Sequence, residues 1–488
     1  MVEFHGTARP RIRRASGANH RTLAALSAPA TSSPEAVMPV ALTRYVGEFI
    51  ADLTVDQIPA TAAAIVATGF TDCIGVGIAG LDEPVVRIVR EALPTLADGG
   101  EAALIGGAHR ASALDAALVN AVTCHVLDYD DLALLGHPSV VLVPAILAEG
   151  EVLGVTGRDA IRAYLAGYEV WSDLIGRDRH LHHTKGWHPT GVFGTLAAAA
   201  AGATLRRLDA ERASHAIGLA AAMAAGLTAN FGSMAKAFQA GRAAQNGLLA
   251  ARLAAAGMTA APDVLEQTPG LLQALSPHGE VDLEREPSFG REWTILRSGL
   301  NLKRYPAVYY CQRALDAMFA LLAEHPIQPE QVRRIRVLVS PTEALILRQH
   351  RPHNALEAKF SMEFALAAAI VAGRVGLREL TDEFVQRPGV QALLPCVHLT
   401  TTDEGDPEMP TRSRFSRVTV ELTDGTIVES PDVFHARGSA QVPLTREELW
   451  EKFYDCTRTR LNETAARDLF ERVQALERLE SVAEVLPT

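Results

Sequence analysis

The sequence predicts a mainly α-helical protein: a large all-helical domain with a smaller α+β insert or second domain. Three observations predict it. From Thr43 to about Leu296 apolar residues recur at helical spacing, broken by Gly and Asp-Gly, with Ala, Leu, Glu and Arg dominant. Near Leu302 the pattern changes, and the stretch from there to about 437 contains β-branched and alternating runs. Beyond residue 438 the pattern returns to amphipathic helix.

Taken in order, residues 1–37 carry Arg9, Arg11, Arg13, Arg14 and Arg21 and then SAPATSSPEA, with little to bury. They read as a disordered, dispensable extension; a transit-like leader is the other reading. Met38 opens a cleaner start, MPVALTRYVGEFIADL, so translation from Met38 stands as an alternative to translation from Met1. The helical domain is placed at 38–297 together with 438–488. Within it, GVFGTLAAAAAGATLRRL and HAIGLAAAMAAGLTANFGSM have small residues on several faces, so they are placed centrally. The insert is placed at 298–437. RRIRVLVSPTEALIL reads as a strand, and FSRVTVELTDGTIVES as a hairpin turning on Asp424-Gly425. ALEAKFSMEFALAAAIVAGRVG, between them, returns to helix. The final TREELWEKFYDCTRTRLNETAARDLFERVQALERL is expected to pack back onto the first domain.

Composition narrows the function. A chain of 488 residues that is 48% hydrophobic and 21% charged has material for a sizeable core. A formal charge of −11 with no long basic stripe argues against a nucleic-acid partner. Five scattered cysteines with no CxxC fit a reducing, cytoplasmic setting and exclude an iron–sulfur hydro-lyase. The charge-free run Ala216–Ala235 is mostly Ala and Gly with Asn230 and Ser233, which suits helix packing better than lipid. No membrane partner is expected. GxGxxG, Walker and GxSxG motifs are absent.

Three polar clusters interrupt the apolar sequence. In HVLDYDDLALLGHPS, from His125 to Ser139, the spacing predicts Asp128 and Asp131 on one helix face with His125 joining Asp128 and Asp130 pointing elsewhere. Gly136 and Pro138 bracket His137 and predict a loop that presents its imidazole. The bland alternative is a solvated helix end with a core histidine. In GWHPTGVFG, proline after His188 disfavours helix at the histidine, and a helix start near Thr190 favours an anion. The third cluster centres on Lys236, the only charged side chain between Ala216 and Gly241. A buried ammonium is costly unless it meets an anion. Lys303-Arg304 in NLKRYPAVYY are two further cations that could close over a carboxylate. Carboxylate, imidazoles and ammonium together are what a site needs to move protons on an anionic small molecule. A metal reading, drawing on His180, His182, His183 and His188 in HLHHTKGWH, matches no HExxH or histidine-zinc spacing. DYDDL also fails as an isoprenoid-synthase motif, because Leu134 stands where the closing aspartate belongs.

In this order and spacing, HVLDYDDLALLGHPS followed by VPAILAEGE, GWHPTGVFG, NFGSMAKAFQAGRAAQNG, LKRYPA and EAKFSMEFALAAAIVAG resemble the MmgE/PrpD family: 2-methylcitrate dehydratases, cis-aconitate decarboxylases and iminodisuccinate epimerases. The resemblance covers nearly everything after Met38. It implies a helical domain with a smaller α+β lid, a homodimer, and a cofactor-free and metal-free site acting on a small carboxylate. It implies catalytic roles for Asp128, His137, His188, Lys236 and Lys303. His137 and His188 are the acid/base pair, Asp128 an orienter or base, and the lysines carboxylate clamps. Arg304 and the positions of family hydroxyl and imidazole groups, here Leu132, Phe364 and Gln239, are implied to touch substrate. The changed positions point to a less polar or differently substituted substrate. Loss of water or CO2 is the favoured reaction, with epimerisation and non-catalytic carboxylate binding as the alternatives.

Overall fold

The computed structural model describes residues 39–93, 100–107, 109–406 and 412–486. The expected extension 1–37 lies outside the described residues.

The chain is mainly helical, as its pattern requires. Helix Pro189–Leu205 is buried along its whole length, which only a string of Ala, Gly and small residues permits when helices pack on several sides. It packs against Gly157–Ile175, Met234–Ala255 and Ser139–Leu153. HAIGLAAAMAAGLTANFGSM is only partly central: helix Ala210–Met223 is half-buried, and the segment after it is largely exposed. Ala60–Ala79 is long and apolar enough to cross a membrane, yet most of it is inside the protein. Its buried Asp72 meets Lys452 at 2.5 Å, so a mid-helix charge is matched by a cation from the C-terminal helix Arg446–Thr457. Phe453 of that helix and Leu469, Phe470 and Val473 of Glu463–Gln474 join the apolar cluster formed by the first helices.

A second apolar cluster draws on residues between Tyr305 and Val420. Its sheet has strands β3 (Val332–Val339), β4 (Val397–Thr401), β5 (Val418–Leu422) and β6 (Ile427–Glu429) in the order β4-β3-β5-β6. A separate two-stranded hairpin, β1 (Ala102–Ala103) with β2 (Arg110–Ala111), lies in the helical part. β5 and β6 pair antiparallel about Asp424-Gly425, the hairpin read from sequence. β3 and β4 pair parallel, so the chain must cross over between them; helices Tyr309–Glu324 and Met362–Ala372 cover the sheet. β4 is an unforeseen strand: VHLTT is short and mostly exposed, so it lacks a core-strand pattern.

The five cysteines are free; Cys73, Cys124, Cys311 and Cys456 are buried.

Candidate active site

The site is organised by the irregular stretch between helices Ala113–His125 and Ser139–Leu153. This corrects the helical reading of that segment. The helix ends at His125, and Asp128 adopts a left-handed backbone (φ +52°), a conformation Asp tolerates better than most residues. Leu134 and Leu135 follow with φ of +52° and +57°, which is strained for leucine. Asp128 and Asp131 therefore do not share a face. Asp128 enters the cavity, whereas Asp131 is buried behind it, accepting a 2.6 Å hydrogen bond from Ser139 Oγ, itself 2.8 Å from Tyr164 OH. Burial pushes the Asp131 carboxyl up to about 8, with the Asp72 and Asp130 charges adding to it against the Ser139 hydrogen bond.

Asp128 meets both expected lysines. Lys236 Nζ, from the first turn of helix Met234–Ala255, donates to Oδ1 at 2.7 Å, and Lys303 Nζ donates to the same oxygen at 2.9 Å. Lys303, 1% exposed, also donates to the Asp128 carbonyl at 2.5 Å. Burial alone would raise the Asp128 pKa; Lys236, Lys303 and His137 together override it and hold the group far below the ordinary carboxylate range.

The imidazoles form a contiguous row. Ring centroids of His137 and His125 are 4.6 Å apart, and those of His125 and His188 6.5 Å. Asp130, expected to point elsewhere, bridges two of them. Its Oδ1 lies 3.0 Å from His125 Nδ1 and its Oδ2 2.7 Å from His137 Nδ1. His137 Nδ1 also lies 2.8 Å from the Asp131 carbonyl oxygen. A carbonyl and an ionised carboxylate only accept, so both Nδ1 atoms carry the proton and both Nε2 atoms keep a lone pair. His137 Nε2 then stands 3.8 Å from Asp128 Oδ1. Burial, followed by the Lys236 charge, depresses the His125 pKa to about 4. Burial depresses that of His137 too, against the pull of Asp130. Burial followed by Lys236 takes His188 to about 2. All three rings are neutral near neutral pH.

His188 caps helix Pro189–Leu205 at a loop, as expected, and packs edge-on against Phe231 at 4.9 Å. Its Nδ1 and His125 Nε2 are buried without a hydrogen-bond partner. Two glycines let these loops approach. A Cβ on Gly136 would lie 2.7 Å from the Trp171 ring and 3.1 Å from Thr190 Oγ1, and one on Gly226 would lie 2.7 Å from Gln239 Oε1.

A cavity of about 650 Å³ opens onto this network, with His125, Asp128, Lys236, Glu83, Lys359 and Phe360 in its lining. Lys303, His137 and His188 are not in that lining, and neither are the four predicted substrate contacts. Phe364 is 2% exposed in the second apolar cluster, edge-on to Phe384, because its helix is buried almost all round. Gln239 is a loop clamp: its amide takes the Leu227 N–H and gives a 3.2 Å bond to the Leu227 carbonyl. Leu132 pairs through its backbone with Asn301. Arg304 pairs with Glu448 at 3.1 Å and lines a separate pocket with Tyr129 and Asp316. Sequence reasoning missed Lys359 and Asp130. Lys359 stands in EAKFSM between apolar Ala358 and Phe360, and that apolar context is the signal that could have found it.

His125, Asp128, Asp130 and His137 place one ligand-type atom each within 4.8 Å of one another. Two ammonium groups already occupy Asp128, the His125 Nδ1 hydrogen is directed at Asp130 Oδ1, and the His137 Nδ1 hydrogen at the Asp131 carbonyl with Asp130 Oδ2 2.7 Å away. The group is arranged as an ion-pair and hydrogen-bond network, not as lone pairs converging on a cation.

The sequence matches a known family. Residues 44–284 match the MmgE/PrpD N-terminal domain and residues 305–478 the MmgE/PrpD C-terminal domain. The chain belongs to the MmgE/PrpD family. Among its relatives is the cis-aconitate decarboxylase-like protein oryM of Aspergillus oryzae, 27% identical over 93% of this chain and 98% of the relative. The cis-aconitate decarboxylase of Mus musculus is 27% identical over 75% of this chain and 76% of its own length. That of Aspergillus terreus is 24% identical over 91% and 95%.

Proposed function

We propose that this protein is a lyase that removes CO2 or water from a small carboxylic acid without a cofactor, working as a homodimer. The observation that carries the reading is local charge: at one end of the cavity the Asp128 carboxylate is met by both Lys236 and Lys303, with Lys359 in the cavity lining. Two ammonium groups on one carboxylate, with a third in the same cavity, suit an anionic ligand at that end. The decarboxylase names of the relatives favour loss of CO2.

Both reactions develop negative charge beside a carboxylate. In decarboxylation the C–C bond to the departing carboxylate breaks, its electron pair passes into the neighbouring unsaturation, and one proton is added to carbon. In dehydration a C–H proton goes to a base while hydroxide leaves with the C–O pair and is protonated. Lys236 and Lys303 stabilise the developing charge, and the surrounding burial strengthens that effect. His137 Nε2, unprotonated because Nδ1 is tied to acceptors, is the base; once protonated it is the acid. His188, neutral and unpartnered at Nδ1, is the second proton carrier. Asp128 holds the lysines until substrate arrives.

An NMR time course in deuterated buffer containing EDTA tests this on 2-methylcitrate, cis-aconitate, iminodisuccinate and less polar analogues. A new vinylic signal with loss of carboxylate or water supports a lyase. Solvent deuterium entering recovered substrate without a new product would replace it with an epimerase.

A further inference from the structure

Lys359 is the least explained charged side chain of the cavity. The residue is 5% exposed and lines the same space as Asp128 and Lys236. Among the described residues its ammonium has no hydrogen-bond or ion-pair partner within 4.0 Å, and it is not sealed into the protein, since it is absent from the fully buried orphan atoms. A buried, unpaired ammonium is costly, and a long side chain normally escapes the cost by reaching water.

Here the backbone fixes where the side chain begins, and the ammonium reaches the cavity. Lys359 closes the short turn Ala355–Ala358, which Asn354 caps through the Glu357 N–H at 2.9 Å. Ala355 N donates to Asp382 Oδ1 at 2.7 Å, and the Lys359 carbonyl accepts from Val308 N at 2.8 Å. Of the acids in the lining, Glu83 lies beyond ion-pair distance of the ammonium and three others are engaged. Asp382 holds that turn, Asp455 pairs with Arg458 at 2.9 Å, and Asp82 pairs with Arg460. Burial lowers the Lys359 pKa first, Glu83 and Asp128 oppose, and Lys236 and Lys303 lower it further. An incoming anion would relieve this.

We infer that Lys359 is a specificity-determining residue whose ammonium binds a second carboxylate of the substrate, remote from the one held at Lys236 and Lys303. This rests on the carboxylate reading above. Leu127, Leu356, Phe360 and Leu380 line the same cavity, so the part of the ligand between its two charges meets apolar wall. The ligand is a dicarboxylate or tricarboxylate with an apolar middle or substituent, and a monocarboxylate of the same skeleton leaves Lys359 unpaired.

The test is calorimetric titration of wild type, K359M and K359R with cis-aconitate, 2-methylcitrate and their singly amidated analogues, beside thermal melts. Wild type should prefer the full acid by ~10-fold or more, the scale of one buried charge pair. K359M should lose that preference while binding the amides as wild type does, and K359R should keep part of it. Removing an unpaired ammonium should leave the melting temperature of K359M equal or higher. K359M with the wild-type preference, or K359M melting lower with uniformly weakened binding to all ligands, overturns the inference. Wild type binding no carboxylate at all overturns the carboxylate reading and this inference together.

Discussion

Asp130→Asn removes a charge and almost no volume from the centre of the histidine row. Both Asp130 oxygens face an imidazole Nδ1, at 3.0 Å and 2.7 Å, and the side chain has no exposure. An amide offers one acceptor and one donor, so only one of the two N–H groups keeps its bond. His137 is tied a second time, to the Asp131 carbonyl, so it keeps the Nδ1–H tautomer. His125 must turn to Nε2–H, which puts a donor where the cavity now meets a lone pair. One buried hydrogen bond to a charged group is worth about 1.5–3 kcal/mol. At about 1.4 kcal/mol per decade, that is roughly a 10- to 100-fold loss of kcat/KM. The tautomer change is readable without a substrate, by ¹H–¹⁵N correlation of the histidine ring nitrogens. Wild type should show His125 and His137 protonated at Nδ1; D130N should show His125 alone moved to Nε2. A D130N protein with unchanged ring tautomers and turnover within twofold of wild type would refute the positioning role of Asp130.

Lys236→Ala should abolish most turnover with little change in melting temperature, because Asp128 keeps Lys303 and the helix Met234–Ala255 accepts alanine readily; wild-type turnover by folded K236A would remove Lys236 from the site. Asp131→Asn should flatten the pH dependence of stability. With a folded pKa of about 8, Asp131 keeps a proton that the unfolded chain releases above about 4, so its contribution is full at low pH and is lost as pH rises through 8. The difference at pH 7 is ~4 kcal/mol, and denaturant melts from pH 4 to 8 should show wild type losing stability relative to D131N. Gly226→Ala should displace His188 and Gln239, whose atoms lie 3.3 Å and 2.7 Å from the added methyl, and should cost activity more than a comparable change in an exposed loop; a kinetic comparison with G257A, where a methyl meets nothing, checks it.

Much of the fold was legible because helix and hairpin periods are local. The Asp424-Gly425 turn and the Ala-rich helix Pro189–Leu205 could each be read from a dozen residues. β4 could not, since its pairing partner β3 is more than fifty residues away and its own strand is mostly exposed. At the site, Lys236 stood out by its apolar context and Asp128 and Lys303 by motif position, and the structure brings both lysines to one Asp128 oxygen. The role of Asp130 did not stand out, because reading helix through DYDD assigned the wrong carboxylates to the wrong sides. The left-handed turn at Asp128 reverses that assignment, and a helical period cannot anticipate it. Phe364 was placed by motif position, but burial against Phe384 decides where its ring lies.

Release of CO2 tests the proposed lyase most directly. Carboxyl-¹³C-labelled cis-aconitate and its less polar analogues, incubated with chelator-treated enzyme, should yield ¹³CO2 together with one equivalent of a new unsaturated acid for at least one of them, and K236A should not. Folded wild type that binds these acids yet releases neither CO2 nor water from any of them would contradict the proposed lyase.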